Sequence, residues 1–257
     1  MYLSSHAQTH RGTVRQINED AFLELPQQGL WVVADGMGGH AAGDVASQLV
    51  IDNIQEAIEN KLPEQVSTDL LIEILQKCNT QLQQMSEKQF SGKVVGSTVV
   101  VLWIKESDYS FLWAGDSRGY LLRNNILQQI TKDHSQVNDM VDEGVLKAEE
   151  AESHPLANVI TRAVGVDVHL DVEVKTGPLL VGDVFLICSD GLNKEVSDSE
   201  IERALQSGNI IDAGMALMHA SLVRNARDNV TCIIAKNNQR ESNVINYDHD
   251  ATIPVFT

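Results

Sequence analysis

Four aspartates in this 257-residue chain share one local setting, the end of an apolar run next to a turn residue. Asp35 closes LWVVAD before Gly36, Asp116 closes FLWAGD before Ser117, and Asp190 closes VFLICSD before Gly191. Asp228 stands in RDN, just ahead of another apolar run, and Asn18-Glu19-Asp20 precedes the first. Asp and Gly start turns, so any one of these reads equally well as a turn residue. Strands of one sheet, however, bring their ends to a common rim, and carboxylates gathered there repel unless a cation neutralises them. An oxygen-only donor set without supporting His or Cys suits hard cations such as Mg²⁺ and Mn²⁺.

The glycine-rich stretch around Asp35 has a competing reading. Gly36-x-Gly38-x-x-Ala41, after a strand and before a helix, matches the loose dinucleotide-binding fingerprint, with Glu56 roughly 20 residues on. Two features oppose it. Asp35 would aim a carboxylate at the pyrophosphate, and the following segments do not alternate as β-α-β. Backbone approaching a metal site closely explains the glycines better, and it frees the Gly36 carbonyl to act as a ligand. Arg15 lies three residues before Asn18. It is either a surface ion-pair partner or, beside a metal site, a planar clamp for a phosphoryl group. The chain has no G-x-x-x-x-G-K-[ST], H-E-x-x-H or G-x-S-x-G element.

The elements that must position these residues follow from apolar periodicity. Strands are predicted at 21–25, 30–34, 95–104, 109–114, 120–123, 170–175, 184–188 and 230–236. Helical spacing is predicted over 44–60, 68–89, 198–206 and 211–224. Helices in pairs between groups of strands do not make a doubly wound parallel sheet. The pattern predicts an α+β fold: a four-layer α-β-β-α sandwich, two largely antiparallel sheets flanked by helix pairs. Residues from about 131 to 165 are polar and acidic and read as a small flap insertion above the sheet edge. Residues 1–236 are expected to form one catalytic domain, with 237–257 a polar C-terminal tail.

Composition narrows the partners. With 19 Lys+Arg against 36 Asp+Glu the formal charge is −17, which disfavours nucleic-acid backbones and anionic lipid surfaces. Cys78, Cys188 and Cys232 are isolated, with no spacing for a zinc knuckle or disulfide framework. The first residues carry no apolar signal region, and the longest nearly apolar run, 94–104, is too short to span a bilayer. A monomer in a reducing, cytoplasmic compartment is expected, without membrane insertion.

Eight motifs occur in a fixed order: Gly12-x-x-Arg15-x-x-Asn18-Glu19-Asp20, Ala34-Asp35-Gly36-Met37-Gly38-Gly39-His40, Gly96-Ser97-Thr98, Ala114-Gly115-Asp116-Ser117-Arg118, Thr131-x-Asp133-His134-Ser135, Ile160-Thr161-Arg162-Ala163-x-Gly165, Cys188-Ser189-Asp190-Gly191-Leu192 and Asp228-Asn229-Val230-Thr231. Together they resemble the bacterial branch of the metal-dependent Ser/Thr protein phosphatases, the protein phosphatase 2C type, from about residue 6 to 236. The resemblance implies a β-sandwich flanked by helix pairs and a binuclear Mn²⁺/Mg²⁺ centre acting on phosphoserine and phosphothreonine. Carried over by position, Asp35 bridges two ions, Gly36 gives a carbonyl, and Asp190 and Asp228 complete the first ion's shell. Glu19 and Asp20 lie by the second ion, mostly through waters, and Arg15 binds phosphate. Asp116, sharing Asp190, would hold a third, weaker ion.

The same resemblance implies two metals roughly 3.5–4 Å apart that lower the pKa of a shared water for in-line attack on phosphorus. Many eukaryotic members carry a His directly after the Asp-Gly pair, where this chain has Met37. The proton for the leaving alkoxide then comes from His40, three residues later, or from a metal-held water. Phosphorylated proteins are the implied substrates and a Ser/Thr kinase the implied counterpart. The alternative is a non-catalytic binding module on the same fold, which loss of ligands would mark; Asp35, Asp116, Asp190 and Asp228 are all present.

Overall fold

The computed structural model describes residues 2–38, 42–151 and 154–238. One sheet runs β1 (Tyr2–His10), β11 (Val230–Asn238), β10 (Val184–Cys188), β7 (Arg118–Arg123) and β8 (Ile126–Gln129), in that spatial order. The second runs β2 (Asp20–Leu25), β3 (Leu30–Gly38), β5 (Val99–Lys105), β6 (Asp108–Ala114) and β9 (Glu173–Pro178), with β4 (Val95–Ser97) added beside β3. All of these pairings are antiparallel.

Side-chain alternation explains why the strands read as continuous apolar runs: both faces of each sheet are covered. Along β5, Val99, Val101 and Trp103 pack toward α1 (Gly43–Ile58) and α2 (Thr68–Gln89), while Val100, Leu102 and Ile104 face the other sheet. Along β10, Val184, Leu186 and Cys188 pack toward α6 (Asp198–Leu205) and α7 (Ile210–Val223), while Phe185 and Ile187 join the inter-sheet layer. Successive strand residues point to opposite faces, so a single strand fills two cores. The expected four-layer sandwich is what forms. Helix starts follow ordinary capping chemistry. Ser67 accepts from the Leu70 N–H at the start of α2, and Ser197 with Glu200 closes a capping box on α6.

Several elements differ from the sequence expectation, among them the strand expected at 170–175, which forms as β9 over Glu173–Pro178. The predicted strand 95–104 is broken at Thr98, whose hydroxyl turns inward to accept from the Asp35 N–H. β1 was not anticipated: YLSSHAQTH has little apolar alternation, and it is a strand because all nine residues pair with β11. β8 is likewise absent from the predicted strands, although Asn124-Asn125, both at positive φ, mark the tight two-residue turn that joins it to β7. β11 extends to Asn238, two residues past the expected domain end, and the rest of the tail lies outside the described residues.

Within 131–165 lie the short helices α3 (Gln136–Asp142) and α4 (Ala148–Ala151). The segment is pinned where it leaves and rejoins the sandwich, by bridges between Ser135 and Ile160 and between Ser97 and Val164.

Candidate metal centre

The strand ends place the predicted carboxylates together. Asp20 opens β2 and lies directly across from Asp35 on β3. Asp116 follows β6, Asp228 precedes β11, and Asp190 opens α5 (Asp190–Asn193) just after β10. Both sheets thus contribute to one rim. Asp20 ties them together: its Oδ2 accepts from Ser189 Oγ and from Thr231 Oγ1, each at 2.7 Å. The Asp35 carbonyl accepts from the Thr98 N–H at 2.8 Å, and Thr98 Oγ1 lies 2.7 Å from Ser117 Oγ. The residue before Asp190 and the residue after Asp116 therefore each brace the neighbouring strand end.

Negative charge accumulates at the rim and is offset only in part, by Lys194 at Asp190 and Arg15 at Asp228. Asp35 is partly exposed as a residue, yet desolvation of its carboxyl group holds its pKa well above the ordinary 3.8. Asp20, Asp190, Asp116 and Asp228 add to that rise in turn. Burial pushes Asp20 up to about 7 against the hydrogen bonds from Thr231 and Ser189. Burial, then Asp190, push Asp116 up to about 7, with Lys194 opposing. Moreover, Oδ1 of Asp20, of Asp116 and of Asp190 are buried with no hydrogen-bond partner. Three orphaned carboxylate oxygens at one rim are costly for a protein alone and are what a cation would satisfy.

A second observation concerns backbone. A Cβ on Gly43 would stand 2.5 Å from Glu19 Oε1 and 2.8 Å from the Gly36 carbonyl oxygen, and one on Gly36 would stand 1.9 Å from the Gly43 carbonyl. Only glycine fits at either position, and the Glu19 carboxylate and Gly36 carbonyl open onto the same small gap. Among the described residues no three His, Cys, Asp or Glu side chains close on a single point. A cation here would take one or two carboxylates, a carbonyl and waters, the manner in which Mg²⁺-like ions are held. The donor set fits hard divalent ions.

Arg15 reaches the rim from its exposed side. Its Nη2 donates to Asp228 Oδ2 at 2.9 Å, and Nη1 stands 4.0 Å from Glu19 Oε2, with the side chain 48% exposed. The guanidinium is thereby oriented and keeps free donors facing outward. His40 lies outside the described residues. Met37 is opposite Gly96 in the β3–β4 ladder.

Ser189, Thr98 and Thr231 stand inside the sequence motifs, and their role as braces appears only with the sheet pairing. Lys194, which is in none of those motifs, bonds Asp190 Oδ2 through its ammonium. The signal was available, since Lys194 follows Asp190 by one helical turn. On the flap side, Arg118 holds Asp133 in a fork, with Nε 3.0 Å from both carboxylate oxygens and Nη2 2.8 Å from Oδ2. His134 stacks on Trp113, and its Nδ1 accepts from the Gly115 N–H at 3.1 Å. Gly115 is needed there: its φ is +117°, and a Cβ would meet Thr98 at 2.6 Å. A cavity of about 400 Å³ opens between this flap and Asp116, Asp190 and Lys194.

The chain is similar to known proteins. A family profile described as Protein phosphatase 2C matches residues 7–229. The chain belongs to that family. It is 35% identical over 239 residues to the serine/threonine phosphatase stp of Listeria welshimeri, covering 90% of this chain and 94% of that one. Among solved structures, PppA, a key regulatory component of T6SS in Pseudomonas aeruginosa, superposes with a TM-score of 0.83 at 41% identity, covering 92% of this chain and 98% of that one. The catalytic domain of the serine/threonine protein phosphatase PstP in complex with two manganese ions does so with a TM-score of 0.80 at 35% identity, covering 92% and 99%.

Proposed function

We propose that this chain is a metal-dependent protein serine/threonine phosphatase, with residues 1–236 as its catalytic domain and 131–165 as its flap. The observation that carries the reading is the rim on which Asp20, Asp116 and Asp190 each keep a buried, unpartnered oxygen around Asp35. Membership of the family and the two manganese ions named for the PstP catalytic domain support it.

Asp35, the Gly36 carbonyl, Asp190 and Asp228 would hold one Mn²⁺ or Mg²⁺, and Asp35 with Glu19 and Asp20 a second. Asp116 and Asp190 form a poorer third pair of donors. When bound, such ions activate water and offset charge on phosphoryl oxygens. The protein's own part is positional. Asp228 aims the Arg15 guanidinium at the rim, where its free donors can take phosphoryl oxygens. Ser189 and Thr231 hold Asp20, and Thr98 fixes the Asp35 backbone, so the carboxylates meet a substrate without reorganising. The leaving alkoxide takes its proton from His40 or from water. Substrates are phosphorylated proteins, with a cognate Ser/Thr kinase as counterpart, acted on by a cytoplasmic monomer. The binding-module alternative loses ground because the carboxylate set and Arg15 are intact.

The test is dephosphorylation of a phosphothreonine peptide with Mn²⁺ and with excess chelator. Turnover that requires the metal is expected; equal turnover in chelator, or none under either condition, would overturn the reading.

A further inference from the structure

Asp116 and Asp190 are 7% and 8% exposed, and each keeps a buried Oδ1 without a hydrogen-bond partner. Asp190 has one oxygen left over because its Oδ2 is taken by the Lys194 ammonium. The other basic groups nearby are engaged elsewhere, Arg118 by Asp133 and Arg15 by Asp228. Among the described residues, Lys194 is therefore the cation that faces this carboxylate pair. Its charge couples most strongly to Asp190, then to Asp116 and Asp228.

We propose that Lys194 is a built-in cation at the Asp116–Asp190 pair, competing with a third divalent ion for these two carboxylates. The inference rests on the metal-centre reading above and specifies how many ions this chain holds tightly. Two carboxylates provide few protein donors, so an ion between them would keep most of its waters and bind loosely. To enter, it must also displace an ammonium already bonded to one of the two. Lys194 can yield: its side chain is 40% exposed, it has a flexible four-carbon stem, and the cavity of about 400 Å³ lies beside it. Competition, rather than exclusion, is the result. The working complement is two tight ions, with a third entering only at high metal concentration.

The experiment is calorimetric titration of the full chain with Mn²⁺, comparing the unaltered protein with Lys194→Met, Lys194→Arg and Lys194→Met/Asp116→Asn. Two tight ions should be retained throughout. Lys194→Met should tighten a third, weak site by about tenfold or more, the scale of one charged hydrogen bond at a partly exposed site. Lys194→Arg should behave as the unaltered chain, and the double variant should lose the gain. Lys194→Gln serves the same comparison if the methionine variant does not fold. Third-ion affinity equal to or weaker than that of the unaltered protein in the neutral variants would overturn the proposal. Absence of the two tight ions from the unaltered protein would instead overturn the metal-centre reading beneath it.

Discussion

Removing metal should make this protein's stability fall as pH rises, the reverse of ordinary acid unfolding. Asp20 is enclosed, its Oδ2 held by Ser189 and Thr231 and its Oδ1 without a partner, and its pKa is pushed up to about 7. A carboxyl raised in the folded state contributes stability that is fully present below its ordinary 3.8 and lost as pH climbs through about 7. Between about pH 5 and pH 8 one such group costs about 2–3 kcal/mol. For a chain of this size that is roughly 5–10 °C of melting temperature. Asp116, raised to about 7, acts in the same direction. The assay is scanning calorimetry in excess chelator across that range, repeated with Mn²⁺. The metal-free protein should melt lower at pH 8 than at pH 5, Mn²⁺ should restore most of the loss at pH 8, and Asp20→Asn should make the profile shallower, with Asp116 supplying the remaining slope. A chelated protein whose melting temperature is level or rises toward pH 8 would refute the reasoning, because the carboxylates would then be neutralised without metal.

Other substitutions probe single parts of the site. Arg15→Ala should lower kcat/KM on a phosphopeptide by about 1.5–3 kcal/mol, the worth of a hydrogen bond to a charged group, while calorimetric metal affinity changes little. Unchanged kcat/KM would return Arg15 to a surface ion pair with Asp228. Gly43→Ala should weaken Mn²⁺ binding and lower the melting temperature, since the added carbon would stand 2.5 Å from Glu19 Oε1 and 2.8 Å from the Gly36 oxygen; native metal affinity would show that the cradle is not used. Asp35→Asn should abolish turnover while circular dichroism stays native, and retained turnover would remove Asp35 from its bridging role. Exchanging residues 131–165 for a relative's segment should change phosphopeptide preference yet spare hydrolysis of a small aryl phosphate. A parallel fall of both would make the flap part of the catalytic machinery.

The layers were readable because the strands are covered on both faces. VVVLWI in β5 and VFLIC in β10 carry no alternation, yet paired helical patterns beside them announce where each outer face goes. β1 was not readable, since its stability comes from pairing with β11 rather than from its own residues. The carboxylates could be found from their types and positions at strand ends, but their supports could not. Nothing local to Asp20 says that Ser189 and Thr231, 169 and 211 residues away, hold its carboxylate. Such contacts depend on which strands become neighbours. Thr98 shows the converse: a residue inside an apolar run breaks the strand because its hydroxyl serves the Asp35 backbone.

Anomalous diffraction from crystals grown with Mn²⁺ tests most directly whether Asp35 bridges two divalent ions at the rim joining the sheets. Two manganese peaks are predicted, both in coordination range of the Asp35 carboxylate, one beside Asp190 and Asp228 and the other toward Glu19 and Asp20. Manganese bound away from Asp35, or a rim without any peak at saturating metal, would contradict it.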